Sequence, residues 1–163
     1  MKRLLLLVPA SLIFLSSFAQ SNKEDIDMIQ AMYGKQKKEI AADFIMVPDA
    51  KKDAFWKMYD DYETERKTLG KQRISLLEKY ANAYDTLGDR STDAIIKQTM
   101  TQQKGTDALI GKYYDKIMKS VGVKPAAQFY QLESYLLNVV RAYIMNNIPF
   151  IGELEKTAAP AQH

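Results

Sequence analysis

The sequence predicts an all-α protein: a long antiparallel helical hairpin braced by a C-terminal helix, with a short helix on the N-terminal side. Three observations lead there. Through two long runs, 50–86 and 91–121, both inside the proline-free stretch between Pro48 and Pro125, apolar residues recur in steps of three and four, the spacing that lines one face of a helix. Breaks fall where helices have to stop, at Pro48, Gly88, Gly122 and Pro149. The chain is 47% apolar and 26% charged with both signs mixed, which fits a folded domain, and 163 residues is the size of one such domain.

Residues 1–19 read as an export signal. Lys2 and Arg3 form a basic start, Leu4 to Leu15 an apolar run, and Ser17-Phe18-Ala19 places small residues at the two cleavage subsites, so cleavage is expected after Ala19 and a periplasmic location follows. The run is shorter than the roughly 20 apolar residues a membrane span needs, so no stable membrane insertion is expected after cleavage. No cysteine follows it, which excludes a lipoprotein anchor. Cleavage removes two bases and no acid, so the formal charge falls from +3 to +1 and gives no electrostatic case for nucleic-acid binding. With no cysteine anywhere, disulfides, thiolate metal sites and a cysteine nucleophile are excluded too.

Residues 20–46 are expected to form short helices. Ser21 to Glu24 has the Ser-x-x-Glu form of a capping box, with Ile26, Ile29, Met32 and Tyr33 on one face and Gly34 at the end. Ile40, Ala41 and Phe44 mark a second short helix within Lys35 to Met46.

The main folded part is expected to span residues 47–152. Its first rod runs from Ala50 to about Thr86, with a stripe of Phe55, Tyr59, Tyr62, Leu69, Leu76, Tyr80, Ala83 and Leu87, widened by Met58, Leu77 and Tyr84. Pro48 cannot continue a helix backwards and the Asp49 carboxylate can accept first-turn N–H groups. At 1.5 Å per residue this rod would be about 55 Å long, too long an amphipathic helix to stand without a partner. Arg66 and Arg73 occupy stripe positions. Either their methylenes cover the seam while the guanidinium reaches water, or they form a polar layer.

After the turn at Gly88 to Arg90, capped by Ser91 or Thr92, a second rod reaches about Val121. Its stripe is Ile96, Met100, Gln103, Asp107, Ile110, Tyr114, Ile117 and Val121. So short a turn makes it fold back antiparallel. Counting outward from the turn sets Tyr59 opposite Met118, Tyr80 opposite Lys97 and Gly70 opposite Asp107. The middle of the hairpin is then polar on both arms, with an expected Arg73–Asp107 or Arg66–Asp107 pair whose role is to fix register, since a buried ion pair adds little net stability. Gly122 ends the rod. Pro125 suits the first turn of a last helix reaching about Asn147. Its apolar residues, Phe129, Leu132, Leu136, Leu137, Val139, Val140, Ile144 and Ile148, are broader than one stripe, so contacts on two sides are expected. Residues 153–163 read as a loose tail. Val47, Phe55, Trp56 and Met58 share their spacing with Val121, Phe129, Tyr130 and Leu132, a weak internal echo.

Two segments carry a resemblance. V-P-D-A-K-K-D-A-F-W-K-M-Y-D-D-Y-E, from Val47, and V-K-P-A-A-Q-F-Y-Q-L-E, from Val123, resemble the paired Leu-Thr-x-x-Gln regions of Spy/CpxP-like periplasmic proteins. The chain is also similar to small exported bacterial proteins sharing its F-W-x-x-Y-x-x-Y, F-Y-Q-x-E and N-N-I-P patterns. Val47 and Val121 stand where the family has Leu, Pro48 and Gly122 where it has Thr, and Lys51 and Pro125 where it has Gln. The likeness therefore rests on architecture, export signal and aromatic positions across Val47 to Ile148. It implies an all-helical, ATP-independent chaperone and stress-response protein, a homodimer, binding unfolded envelope proteins. The alternative within that resemblance is an envelope-stress regulator binding one specific protein partner.

Chemistry finds little support in the residues. The single His, His163, lies at the end of the tail, so a His-based triad or general base is not expected, and the protein reads as a non-enzyme without cofactor or metal. Asp60, Asp61, Glu63 and Glu65 lack the Glu-x-x-His partners of a helical di-iron site and read as a solvated acidic face. The aromatic clusters Phe55, Trp56, Tyr59, Tyr62, Phe129 and Tyr130 have two readings: core packing, or a shallow apolar groove for client chains, ringed by Lys51, Lys52, Lys57 and Lys119.

Overall fold

The structure is a computed structural model that describes residues 36–151. The chain divides into two compact units, residues 1–40 and 41–163, and the architecture below is that of the second. The expected signal segment (1–19), the first short helix and the tail (153–163) lie outside the described residues.

The described chain is all helical. Residues 36–44 form helix α1, which matches the second of the expected short helices. A 3-10 turn over Asp49–Lys51 leads into α2 (Lys52–Ala83), and a second 3-10 turn, Tyr84–Thr86, ends it. Helices α3 (Asp89–Ser120) and α4 (Val123–Asn147) follow. At 32 residues each, α2 and α3 are rods of about 48 Å. Among the described residues no helix is long and apolar enough to cross a membrane.

The helix ends differ from simple expectation. Asp49 does not cap α2: its carboxylate pairs with Lys52 Nζ at 2.7 Å, and the start is closed instead by Lys51 N–H donating to the Pro48 carbonyl at 2.8 Å. At α3 the Ser91 hydroxyl accepts from the Gly88 N–H (3.0 Å) and donates to the Gly88 carbonyl (2.8 Å), so Ser91 caps from inside the first turn. Gly122 serves two helices. Its N–H donates to the Ile117 carbonyl, closing α3, while its φ of 136° turns the chain into α4 in a region that side-chain-bearing residues avoid.

The hairpin pairs as counting outward from the turn requires. Lys112 Nζ and the Tyr113 hydroxyl both donate to the Glu65 carboxylate, and the Gln102 amide donates to the Leu69 carbonyl at 3.2 Å. These cross-links step in opposite directions along α2 and α3, as an antiparallel pair must. Helix α4 turns back along α3, with Arg141 on Asp107 and the Tyr130 ring against Tyr114.

The inward face of α3 is rotated from the expected stripe. Its buried residues are Gln102, Thr106, Leu109, Ile110, Tyr113 and Ile117. Asp107 is exposed, as are Ile96 and Met100. Those two exposed apolar residues drew the expected stripe around the helix by about one position, roughly 100°.

The core sits at one end of the hairpin, where α2, α3 and α4 meet beside Ala41 and Ile45. Phe55, Tyr59, Tyr62, Tyr113, Ile117 and Phe129 are its largest enclosed side chains. The Gln128 amide clamps the chain entering this end, accepting from Met46 N–H (2.9 Å) and donating to the Phe44 carbonyl (3.1 Å). Two of the four pairs of the internal echo are alike in burial, while Trp56 and Met58 are partly buried where Tyr130 is exposed and Leu132 enclosed. Phe55 and Phe129 are both fully enclosed, and Val47 and Val121 both pack against the core from its edge.

Candidate functional site

Of the two readings of the six rings, core packing or an open groove, four rings take the first. Phe55, Tyr59, Tyr62 and Phe129 are each no more than 1% exposed. Their edges meet the faces of neighbours: Tyr62 lies 5.0 Å from Phe129 and 5.4 Å from Tyr113 by ring centroids, both near-perpendicular, a favoured aromatic geometry. Trp56 is partly buried, edge-on to Phe55 at 5.0 Å and to Tyr59 at 5.5 Å. Only Tyr130 of the six is openly exposed. The helical spacing that made these residues a cluster is the same spacing that turns them inward once α3 and α4 cover that face.

A carboxylate lies inside the cluster. Glu133, 3% exposed, accepts the Tyr62 hydroxyl at 2.7 Å and the Tyr59 hydroxyl at 3.4 Å. Burial first, and the Glu133 charge second, push both phenols far above their usual range, so both remain donors at any ordinary pH. Tyr113 is pushed up to about 12 by burial and by its bond to Glu65. Glu133 was not among the expected site residues. The signal was present: from Phe129 to Ile148 only Glu133 and Arg141 carry formal charge, and a lone acid in so apolar a helix has to meet donors.

The polar middle of the hairpin is assembled differently from expectation. Arg66 pairs with Glu63 one turn away on its own helix, Nε to Oε1 at 2.8 Å and Nη2 to Oε2 at 2.8 Å. Burial opposes the Arg66 charge, but the Glu63 bonds outweigh it and hold its pKa above normal. Asp107 bonds Arg141 of α4 at 2.9 Å, not Arg66 or Arg73. The rotation of α3 explains this, since it carries Asp107 away from α2 and toward α4. Among the described residues no ion pair holds Arg73; burial and the nearby Arg141 guanidinium lower its pKa. The acids of the 60–65 segment are engaged separately: Asp61 with Lys57, Glu63 with Arg66, and Glu65 with Lys112.

Among the described residues, an open and apolar surface lies along the outer face of α4. Tyr135 is 66% exposed, Val139 49% and Tyr143 64%, at spacings of four along one side. Gln131, Asn138, Ala142 and Asn146 complete that face. No formally charged side chain lies on it, because Glu133 turns into the core and Arg141 toward Asp107. The broad apolar character of this helix in the sequence pointed to two contacting sides; the structure fills one.

This is the geometry of an all-α chain with a closed aromatic core at one end and an uncharged, unpartnered helix face along its length. In comparisons with known proteins, the chain matches no family model, no curated protein and no solved structure.

Proposed function

We propose that this is an exported, non-catalytic helical binding protein that holds unfolded segments of envelope proteins without ATP, using the outer face of α4. The observation that carries the reading is the exposed run Tyr135, Val139, Tyr143, free of formal charge. Such a face does not select by charge. Its tyrosines present large contact area at low entropic cost, and its asparagines are adaptable hydrogen-bonding partners. The resemblance of the Val47 and Val123 segments to Spy/CpxP-like proteins supports the same reading, with the working residues moved from the buried rings to α4.

Magnitudes favour transient holding over one tight partner. Fully burying a side chain of this kind contributes about 1.5–3 kcal/mol. Three that are about half to two-thirds exposed offer roughly 3–5 kcal/mol together. Association alone costs at least about 4 kcal/mol, so one such face leaves at most about 1 kcal/mol net, far short of the roughly 4 kcal/mol that even millimolar binding needs. Useful retention then requires several contacts on one client, or a second copy of the chain presenting a second face. A regulator of a single partner needs a larger surface.

The test is aggregation. Purified protein at near-stoichiometric ratio is expected to suppress light scattering by three unrelated unfolding proteins, and the Tyr135→Ser/Tyr143→Ser variant to lose most of that protection while keeping its helical content. Protection of none of the three removes the reading. Undiminished protection by the variant moves the activity off α4, and tight capture of a single partner favours the regulator instead.

A further inference from the structure

At the end of the hairpin remote from the aromatic core, the three helices do not close. A cavity of about 360 Å³ lies between α2, α3 and the end of α4. That is within the size range of small-molecule sites, about 300–1,000 Å³. Its walls are apolar, from Leu76 and Leu77 on α2, Ile95 and Ile96 on α3, and Ile144 and Ile148 on α4. The chain after α4 forms one side, held by two phenols: Tyr80 donates to the Pro149 carbonyl and Tyr84 to the Phe150 carbonyl, the latter at 2.6 Å.

One end of this apolar space is cationic. Arg73 lines it beside Gln102, with no ion-pair partner among the described residues. Behind it stands Arg141, close enough to depress the Arg73 pKa, with its Nη2 on Asp107 and its Nε buried without a hydrogen bond. Of these two guanidiniums only Arg141 has a carboxylate, the half-exposed Asp107. A half-buried arginine beside a second one is costly unless an anion joins them. From Arg73 to Tyr80 the wall runs seven residues, about 10 Å, so charge and apolar lining are separated along one axis.

We propose that this cavity binds an amphiphile with one anionic head and an apolar chain, a long-chain carboxylate, with its head at Arg73 and its chain among α2, α3 and α4. The guanidinium fork matches a carboxylate's two oxygens. The apolar walls fix the orientation, since only the head has a partner inside. This site is separate from the outer face of α4 and does not depend on the holding function.

Calorimetric titration of the purified protein tests it, with dodecanoate and dodecyltrimethylammonium each below its micelle concentration and dodecanol below its solubility limit. Dodecanoate is expected to bind at least about tenfold more tightly than the alcohol, and the cation not to bind. Arg73→Gln is expected to erase the difference between acid and alcohol. Because no ion pair among the described residues holds Arg73, that variant keeps its helical content by circular dichroism. Asp107→Asn is expected to tighten dodecanoate binding several-fold, since it leaves the Arg141 guanidinium beside Arg73 without its own carboxylate. Ile144→Trp, which fills the space, is expected to abolish binding of both acid and alcohol. The proposal is overturned if no amphiphile binds, if acid and alcohol bind alike, if Arg73→Gln leaves the preference intact, or if Tyr135→Ser/Tyr143→Ser is the change that removes binding.

Discussion

Removing the Tyr62 hydroxyl tests whether the buried carboxylate organises the core. Tyr62→Phe keeps the ring, and with it the edge contacts to Phe129 and Tyr113. What it loses is a 2.7 Å bond from a fully enclosed phenol to Glu133. A hydrogen bond to a charged group contributes about 1.5–3 kcal/mol, because the abandoned carboxylate has already given up its water. Tyr59→Phe is the internal control. Its hydroxyl lies 3.4 Å from the same carboxylate, beyond the usual O–H···O range, so its contact with Glu133 should contribute less than about 1 kcal/mol. Urea unfolding followed by circular dichroism reads the difference. With a slope of about 1–3 kcal/mol per molar, the Tyr62→Phe midpoint should fall by roughly 1 M and the Tyr59→Phe midpoint by less than half of that. In a Glu133→Gln background the bond is neutral and the cost of Tyr62→Phe should shrink to about 1 kcal/mol. Equal losses for the two tyrosines, or a Tyr62→Phe variant as stable as the parent, would refute the reasoning.

Three further outcomes follow from the same structure. Tyr59, Tyr62 and Tyr113 all have raised pKa values, so the folded state holds their protons after the unfolded chain, near 10, has lost them; stability from these groups is full below about pH 10 and falls above it, through about 12 for Tyr113, which urea midpoints at pH 8, 9.5 and 11 would show. Two glycines should respond with opposite signs. A Cβ at Gly105 would meet Leu69 Cδ2 at an ordinary 3.9 Å, so Gly105→Ala should stabilise by about 0.5–1 kcal/mol, whereas at Gly122, with φ of 136°, alanine should destabilise by about 1–3 kcal/mol; thermal melts decide both. Gln128→Ala removes both amide bonds to the 44–46 backbone, and should cost about 1–2 kcal/mol and speed hydrogen exchange at the Met46 amide selectively.

The helices were legible in the sequence because their signals are local. Steps of three and four, and breaks at Pro48, Gly88 and Gly122, placed α2, α3 and α4 to within a few residues, and the short turn set a register that the Glu65–Lys112 pair matches. Which face of α3 points inward was not legible from periodicity alone. Ile96 and Met100 are apolar yet exposed, while the buried Gln102 and Thr106 satisfy each other, with the Gln102 amide donating to the Thr106 hydroxyl at 3.1 Å and the hydroxyl to the Gln102 carbonyl at 3.0 Å. Paired polar groups can occupy an interior position that a hydrophobic stripe assigns to a neighbour. The same rotation undid the Arg66/Arg73–Asp107 pairing. Five of the six aromatic positions pack together, with Tyr130 apart against Tyr114, and their exposure depends on how α4 covers α2, a tertiary fact that spacing does not encode. The α4 face was half legible: its apolar breadth was visible, but which side the core would occupy was not.

The claim on which the account rests is that this chain works with the outside of α4 and keeps its rings for its own core. Nitrogen-15 chemical-shift mapping of the purified protein, titrated with a chemically unfolded client, measures that directly. The account predicts shifts concentrated at residues 131–146, with the amides of Phe55, Tyr59 and Tyr62 unmoved. Shifts centred on those core residues, or a client that leaves α4 unchanged, would contradict it.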